Sequence, residues 1–247
     1  VILDSGIRAP VTWLASYPRS GNTLLRILLK QCFNLDSHSI YSDEEFSHPE
    51  VRRLAGEAPV GDNPRQFVQE AMRQGRQLYV KTHELPPPDI HPAIYVLRDG
   101  RSALVSHTHY LCDHFGHELS FAEVIAGKMG VTWSQHVQAW MSRPQTLVLR
   151  YENLAAGDPD SLAAISSFIG VPQSKAFDVS FRRLQGLQPD FFRRGSDQDN
   201  IFELDPESAE LFERLHGETL RAVGYGAGDG PGMPPETGVA SPSVRDC

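Results

Sequence analysis

Long apolar runs are missing from this 247-residue chain. None approaches the roughly 18 residues that a helix needs to cross a bilayer, so no membrane span is expected. The amino end also lacks a charged start followed by an apolar stretch, which predicts no secretory leader. Cysteine is scarce. Cys32, Cys112 and Cys247 are odd in number and share no metal-ligand spacing, which argues against a disulfide framework and for a reducing, cytoplasmic setting. Excess positive charge is absent too. A formal charge of −8 excludes a general nucleic-acid or anionic-membrane binder, so a polyanionic ligand must be met by a local cationic site. His107, His109, His114 and His117 lack the i, i+4 pair with a carboxylate that marks a zinc hydrolase, and no metal is expected.

What is present is the alternation of strand and helix. Val11 to Ser16, Leu78 to Lys81, Ala93 to Leu97 and Thr146 to Arg150 are short apolar runs with β-branched residues, the pattern of buried parallel strands. Helical periodicity follows the first, third and fourth, over Asn22 to Phe33, Arg101 to Leu111 and Pro159 to Ile169, the last stopped by Gly170. Gln66 to Gly75 and Pro206 to Val223 predict two further helices, whereas Leu35 to Asp62 reads as loops and short helices on the acceptor side. With no internal repeat, the economical reading is one α/β domain over 1–223, and the Gly-, Pro- and Ser-rich stretch 224–247 is expected to be a disordered tail.

Three motifs sit at strand ends. Ser16-Tyr17-Pro18-Arg19-Ser20-Gly21-Asn22-Thr23 joins a strand to a helix start, where amide groups and the helix dipole attract anions. Gly21 lets the backbone approach a phosphate, Arg19 adds charge, and Ser20 and Thr23 add hydroxyls. The nucleoside-triphosphate loop requires G-x-x-x-x-G-K-S/T, and here Ser16 and Asn22 replace its first glycine and its lysine. Arg98 at the end of the third strand and Ser106 two turns into the next helix can converge on one phosphate, the arginine as a fork and the serine as a single donor. Lys81-Thr82-His83 closes the second strand, where carboxyl ends face the ligand crevice. An imidazole, with an unperturbed pKa of about 6.5, suits a general base there, and the lysine suits a developing negative charge.

Together these segments resemble the sulfotransferases that use 3′-phosphoadenosine 5′-phosphosulfate (PAPS). The first motif is similar to their 5′-phosphosulfate loop, T-Y-P-K-S-G-T-T-W, over Arg19, Ser20, Gly21, Asn22, Thr23 and Leu24. Arg19 stands where lysine is usual, and Leu24 where tryptophan is usual. The resemblance implies that Arg98 and Ser106 bind the 3′-phosphate, that Lys81 and Arg19 stabilise the leaving phosphate, and that His83 is the base, with Glu84 as the alternative base. It further implies that Tyr151, in Tyr151-Glu152-Asn153-Leu154, lies near the adenine, that Phe181 stacks on it, and that Arg193, Arg194 and Gly195 close over the 3′-phosphate. The aspartate-tryptophan that follows this late loop in the family is absent, with Asp199-Asn200-Ile201 in its place.

The implied fold is a three-layer P-loop-like α/β domain with a central parallel sheet flanked by helices. The implied reaction is in-line transfer of a sulfuryl group from PAPS to a hydroxyl or amine, releasing 3′-phosphoadenosine 5′-phosphate (PAP). A small molecule, natural product, sugar or lipid would each fit as acceptor, since fold and cofactor site do not encode it. A P-loop kinase and a catalytically silent PAP-binding module are the alternatives. The sequence leaves the oligomeric state open.

Overall fold

The computed structural model describes residues 10–41, 48–189, 191–192 and 201–226. Strand β1 (Val11–Ser16) leads into helix α1 (Asn22–Phe33), followed by a two-residue strand β2 (His38–Ser39) and helices α2 (Pro49–Leu54) and α3 (Pro64–Arg73). Next come β3 (Leu78–Thr82), β4 (Ala93–Leu97), α4 (Gly100–Phe115), α5 (Phe121–Ile125) and α6 (Trp133–Met141). The chain continues through β5 (Thr146–Arg150), α7 (Tyr151–Ala155), α8 (Pro159–Ile169), α9 (Phe181–Leu187) and α10 (Pro206–Ala222).

All strand pairs are parallel, in the order β2-β3-β1-β4-β5. Side chains alternate faces along a strand. Trp13, Ala15, Val80, Tyr95 and Leu97 therefore pack on one layer with Leu104, Trp133, Trp140 and Phe212, while Leu14, Ile94 and Val96 pack on the other with Leu25, Leu29, Leu162 and Ile165. Helices on both faces explain why the strands read as unbroken apolar runs. The result is the expected three-layer α/β architecture.

Strand order reverses around β1, because β3 lies on one side and β4 on the other. Such a switch point opens a crevice beyond the carboxyl ends of the strands. The passage from β3 to β4 contains no helix and returns to the amino ends of the strands. Asp89 anchors that passage, accepting from Trp13 Nε1 at 3.1 Å and from Arg143 Nη2 at 2.6 Å.

Several elements differ from the sequence reading. Helix α4 runs on to Phe115, because no breaker occurs before Gly116, which caps it in the left-handed conformation. Helix α3 starts at Pro64, two residues early, behind the Asn63 cap. The stretch after Leu35 holds the edge strand β2, too short for periodicity to reveal. Helices α5 and α6 carry the capping boxes Ser120–Glu123 and Thr132–Gln135. The chain also stays tied in past Gly224, where Tyr225 Oη donates to Glu152 Oε2 at 2.7 Å beneath the Arg150 guanidinium.

Candidate active site

The loop from Tyr17 to Gly21 leaves β1 at the switch point and turns into α1. Two residues in it take left-handed backbone angles, Arg19 at φ 63° and Gly21 at φ 101°. A side chain at Gly21 would be strained by that angle, and its Cβ would stand 2.6 Å from Tyr151 Cδ2, so only glycine fits. Helix α1 begins with no side-chain cap and no acidic residue in its first turn. Its opening turn accordingly presents positive potential to the crevice. Asn22 points back, its Nδ2 donating to Leu14 O at 2.8 Å, and so fastens the loop to β1.

Two arginines are threaded through this loop. Arg98 is buried, donates from Nη1 to Arg19 O at 2.8 Å, and lies 4.3 Å over the Tyr151 ring. Arg19 folds towards α4, donating from Nε to Ser106 Oγ at 3.4 Å and from Nη2 to Phe191 O at 2.5 Å. Its guanidinium sits between the rings of Tyr110 and Phe191, at 4.8 and 4.3 Å. Arg19, Arg98 and Ser106, which the sequence assigned to two ends of the cofactor, thus converge on one region.

Lys81 and His83 stand at the carboxyl end of β3. Lys81 is buried with Nζ 5.4 Å from the Tyr41 ring centre. His83 Nδ1 lies 2.8 Å from Ser16 O. A carbonyl only accepts, so Nδ1 carries the proton and Nε2 carries the lone pair. Tyr41 stacks on the His83 ring at 6.0 Å, and its Oη accepts from the His83 N–H at 2.7 Å. Trp140 Nε1 donates to Glu84 O at 2.9 Å and holds the same turn from below. The ring is therefore held by Ser16 and Tyr41, and the backbone beside it by Tyr41 and Trp140. Burial is the main cause that raises the Tyr41 phenol above its ordinary pKa.

These groups line one cleft of about 400 Å³, within the usual size of a small-molecule site. Arg19, Gly21, Asn22, Thr23, Leu24, Lys81, His83, Arg98, Ser106, Tyr151 and Phe181 all reach its wall. Two candidates do not. Ser20 is buried behind the loop, its Oγ bonded to no described residue. Glu84 is exposed and forms an ion pair with Arg65, with Nη1 3.2 Å from Oε2. Arg193, Arg194 and Gly195 lie outside the described residues. His109 is held by Glu203 at 2.6 Å, and no described group of three His, Cys, Asp or Glu side chains could hold a metal ion.

The sequence reading gave no cleft role to Tyr41, His107, Tyr110, Phe191 and Phe192, which also form the cleft. Helical spacing was the available signal for two of them. Tyr110 lies one turn beyond Ser106, and His107 starts the neighbouring row with Leu111 and His114. Burial, and then the Arg19 charge, hold the His107 pKa down near 4.

Comparison with known proteins gives the family and the fold. A model of the sulfotransferase domain matches residues 9–224. Cytosolic sulfotransferase 3 of Arabidopsis thaliana is 26% identical over 175 residues, 66% of this chain and 54% of its own length, so the chain spans about half the length of that relative. A mouse sulfotransferase complexed with PAP superposes with a TM-score of 0.62 at 20% identity, covering 87% of this chain and 85% of that one. A retinol dehydratase in complex with androsterone and PAP gives 0.59 at 20% identity, covering 94% and 86%. At that identity the two structures speak for the fold.

Proposed function

The chain belongs to the sulfotransferase-domain family, and from that premise we propose that it moves a sulfuryl group from PAPS to the hydroxyl or amine of a small molecule, releasing PAP. The observation that carries the reading is the meeting of three cations, Arg19, Lys81 and Arg98, with a tautomer-fixed His83 on the wall of one cleft. A protein of net charge −8 collects these cations where a polyanion would lie.

The residues fit the donor. Arg98 with Ser106 would hold the 3′-phosphate, the α1 opening turn and Lys81 the 5′-phosphosulfate, and Tyr151 and Phe181 the base. When bound, PAPS supplies an activated sulfuryl group with a phosphate as its leaving group. His83 Nε2 takes the proton of the acceptor hydroxyl, and the Ser16 carbonyl steadies the ring as it becomes charged. Lys81, desolvated at the strand end, stabilises negative charge better than it would in water. The retinol dehydratase solved with androsterone supports a small-molecule acceptor.

Calorimetric titration with PAP, beside ATP, tests this. Tight PAP binding, weak ATP binding and a loss of about tenfold to a hundredfold in Arg98→Ala are expected, as for a charged hydrogen bond removed from a buried site. Equal ATP binding that ignores Arg98 would instead favour a phosphoryl-transfer enzyme.

A further inference from the structure

Arg98 and Tyr151 stand side by side where the sheet ends. The last paired residues of β4 and β5 are Leu97 and Arg150, and past them the strands give way to α4 and α7. The ladder of backbone hydrogen bonds stops there, so the spacing of the two cofactor residues is set by groups outside it. Helix α7 receives no help from its own cap, since Arg150 makes no side-chain hydrogen bond to its first turn.

The end of α10 supplies such a group. The chain turns at Gly224, φ 74°, where a Cβ would stand 2.7 Å from Arg150 Nη2, and lays the Tyr225 ring under the Arg150 guanidinium at 4.5 Å. Arg150 Nη2 donates to Val223 O at 2.6 Å. The Tyr225 hydroxyl donates to Glu152 Oε2 at 2.7 Å and lies 3.4 Å from Leu97 O. Burial, and then the Glu152 carboxylate, push the phenol far above its ordinary pKa, so the hydroxyl keeps the proton that it donates. On its other side, Tyr225 O lies 3.4 Å from Arg101 Nη2. Arg101 in turn grips Asp99, the cap of α4, from Nε at 3.0 Å and from Nη2 at 2.6 Å. Tyr225 thus touches the residue before Arg98 and the residues on both sides of Tyr151. It stands one residue beyond the sulfotransferase-domain match, which ends at 224.

We propose that Tyr225 is a positioning residue for the 3′-phosphate: it ties the ends of β4 and β5 together and so sets where the Arg98 fork points. Tyr225 does not line the cleft and acts through Arg98. The Arg98 guanidinium lies 4.3 Å over the Tyr151 ring, so strand ends that part carry the fork away from its place. A misplacement of about 1 Å removes much of the worth of a positioned group. The assignment rests on the sulfotransfer reading, which gives Arg98 the 3′-phosphate.

The test measures the affinity of the full chain for PAP and for 5′-AMP, which lacks the 3′-phosphate. Effects on the adenine contact or on the folded fraction are common to both ligands and cancel in the ratio. The unaltered chain should prefer PAP about a hundredfold, the gain from charged hydrogen bonds to one phosphate. Tyr225→Phe, which keeps the ring under Arg150 and loses the hydroxyl, should reduce that preference about threefold, and Tyr225→Leu about tenfold. In an Arg98→Ala background the same substitutions should leave the ratio within about twofold, because the group through which they act is gone. A preference that Arg98→Ala abolishes but both Tyr225 variants leave untouched overturns the proposal, while the sulfotransfer reading stands. An equal fall in the Arg98→Ala background overturns it as well. A chain that binds PAP and 5′-AMP alike removes the reading and the proposal together. Should Tyr225→Leu not fold, Tyr225→Phe decides alone, and an unchanged ratio overturns the proposal.

Discussion

His83 and Glu84 are neighbours in sequence with opposite surroundings. The first is clamped by Ser16, Tyr41 and the turn that Trp140 supports, with its basic nitrogen fixed by a backbone carbonyl. The second is solvent-exposed and paired with Arg65. A base must reach the proton that it removes, and only His83 lines the cofactor cleft. We expect His83→Ala to lower the turnover of PAPS-dependent transfer by about 10²- to 10⁴-fold, the usual worth of a positioned general base, with PAP affinity retained. Glu84→Ala should keep near-normal turnover, since its carboxylate serves a surface ion pair worth little. The reverse pattern would transfer the role of base to Glu84.

At the scale of elements, the loop before α1 and the start of α4 are the two parts that must be placed correctly. Gly100 opens α4 directly against the buried Trp133, where an added Cβ would stand 2.6 Å from Cδ2 of the indole. Gly100→Ala should therefore cost about 1–3 kcal/mol in urea denaturation, as overpacked cores do. Because Arg98 lies two residues before, PAP affinity should fall with it; an unchanged midpoint would show that the indole yields freely. Much of this was legible in the sequence. Strands buried on both faces read as apolar runs, and the bounds of β1, β4, β5, α1 and α8 match the pattern. The motif residues at the strand ends were legible because backbone and side-chain chemistry demand those types there. Tyr41 was not, since β2 is two residues long and the aromatic ring reaches His83 only through tertiary packing. Helices α5 and α6 were missed although their capping boxes stand in the sequence, because short helices show little periodicity.

The molecule as a whole carries several histidines in places that disfavour their charge. His107 and His136 have pKa values pushed down to about 4, burial being the first cause for both. His136 is pinned in the core by its Nδ1 contact with Tyr95 Oη at 3.0 Å. Burial also lowers His38 and His216. In the unfolded chain these imidazoles titrate near 6.5, so as the pH falls the unfolded state takes up protons first. Their stabilising contribution is complete above about pH 6.5 and is lost progressively towards pH 4, with about 2 kcal/mol lost at pH 5 from each of His107 and His136. The carboxylates act in a lower range. Glu50 and Glu123, held near 2 by their arginine and lysine partners, lose their contribution only below the ordinary carboxylate pKa of about 4.3. Urea midpoints should therefore drop between pH 7.5 and pH 5 while the acidic ion pairs stay intact. His136→Gln, uncharged at both pH values, should reduce that drop. A midpoint that is flat across this interval would mean that the buried imidazoles keep their protons in the fold.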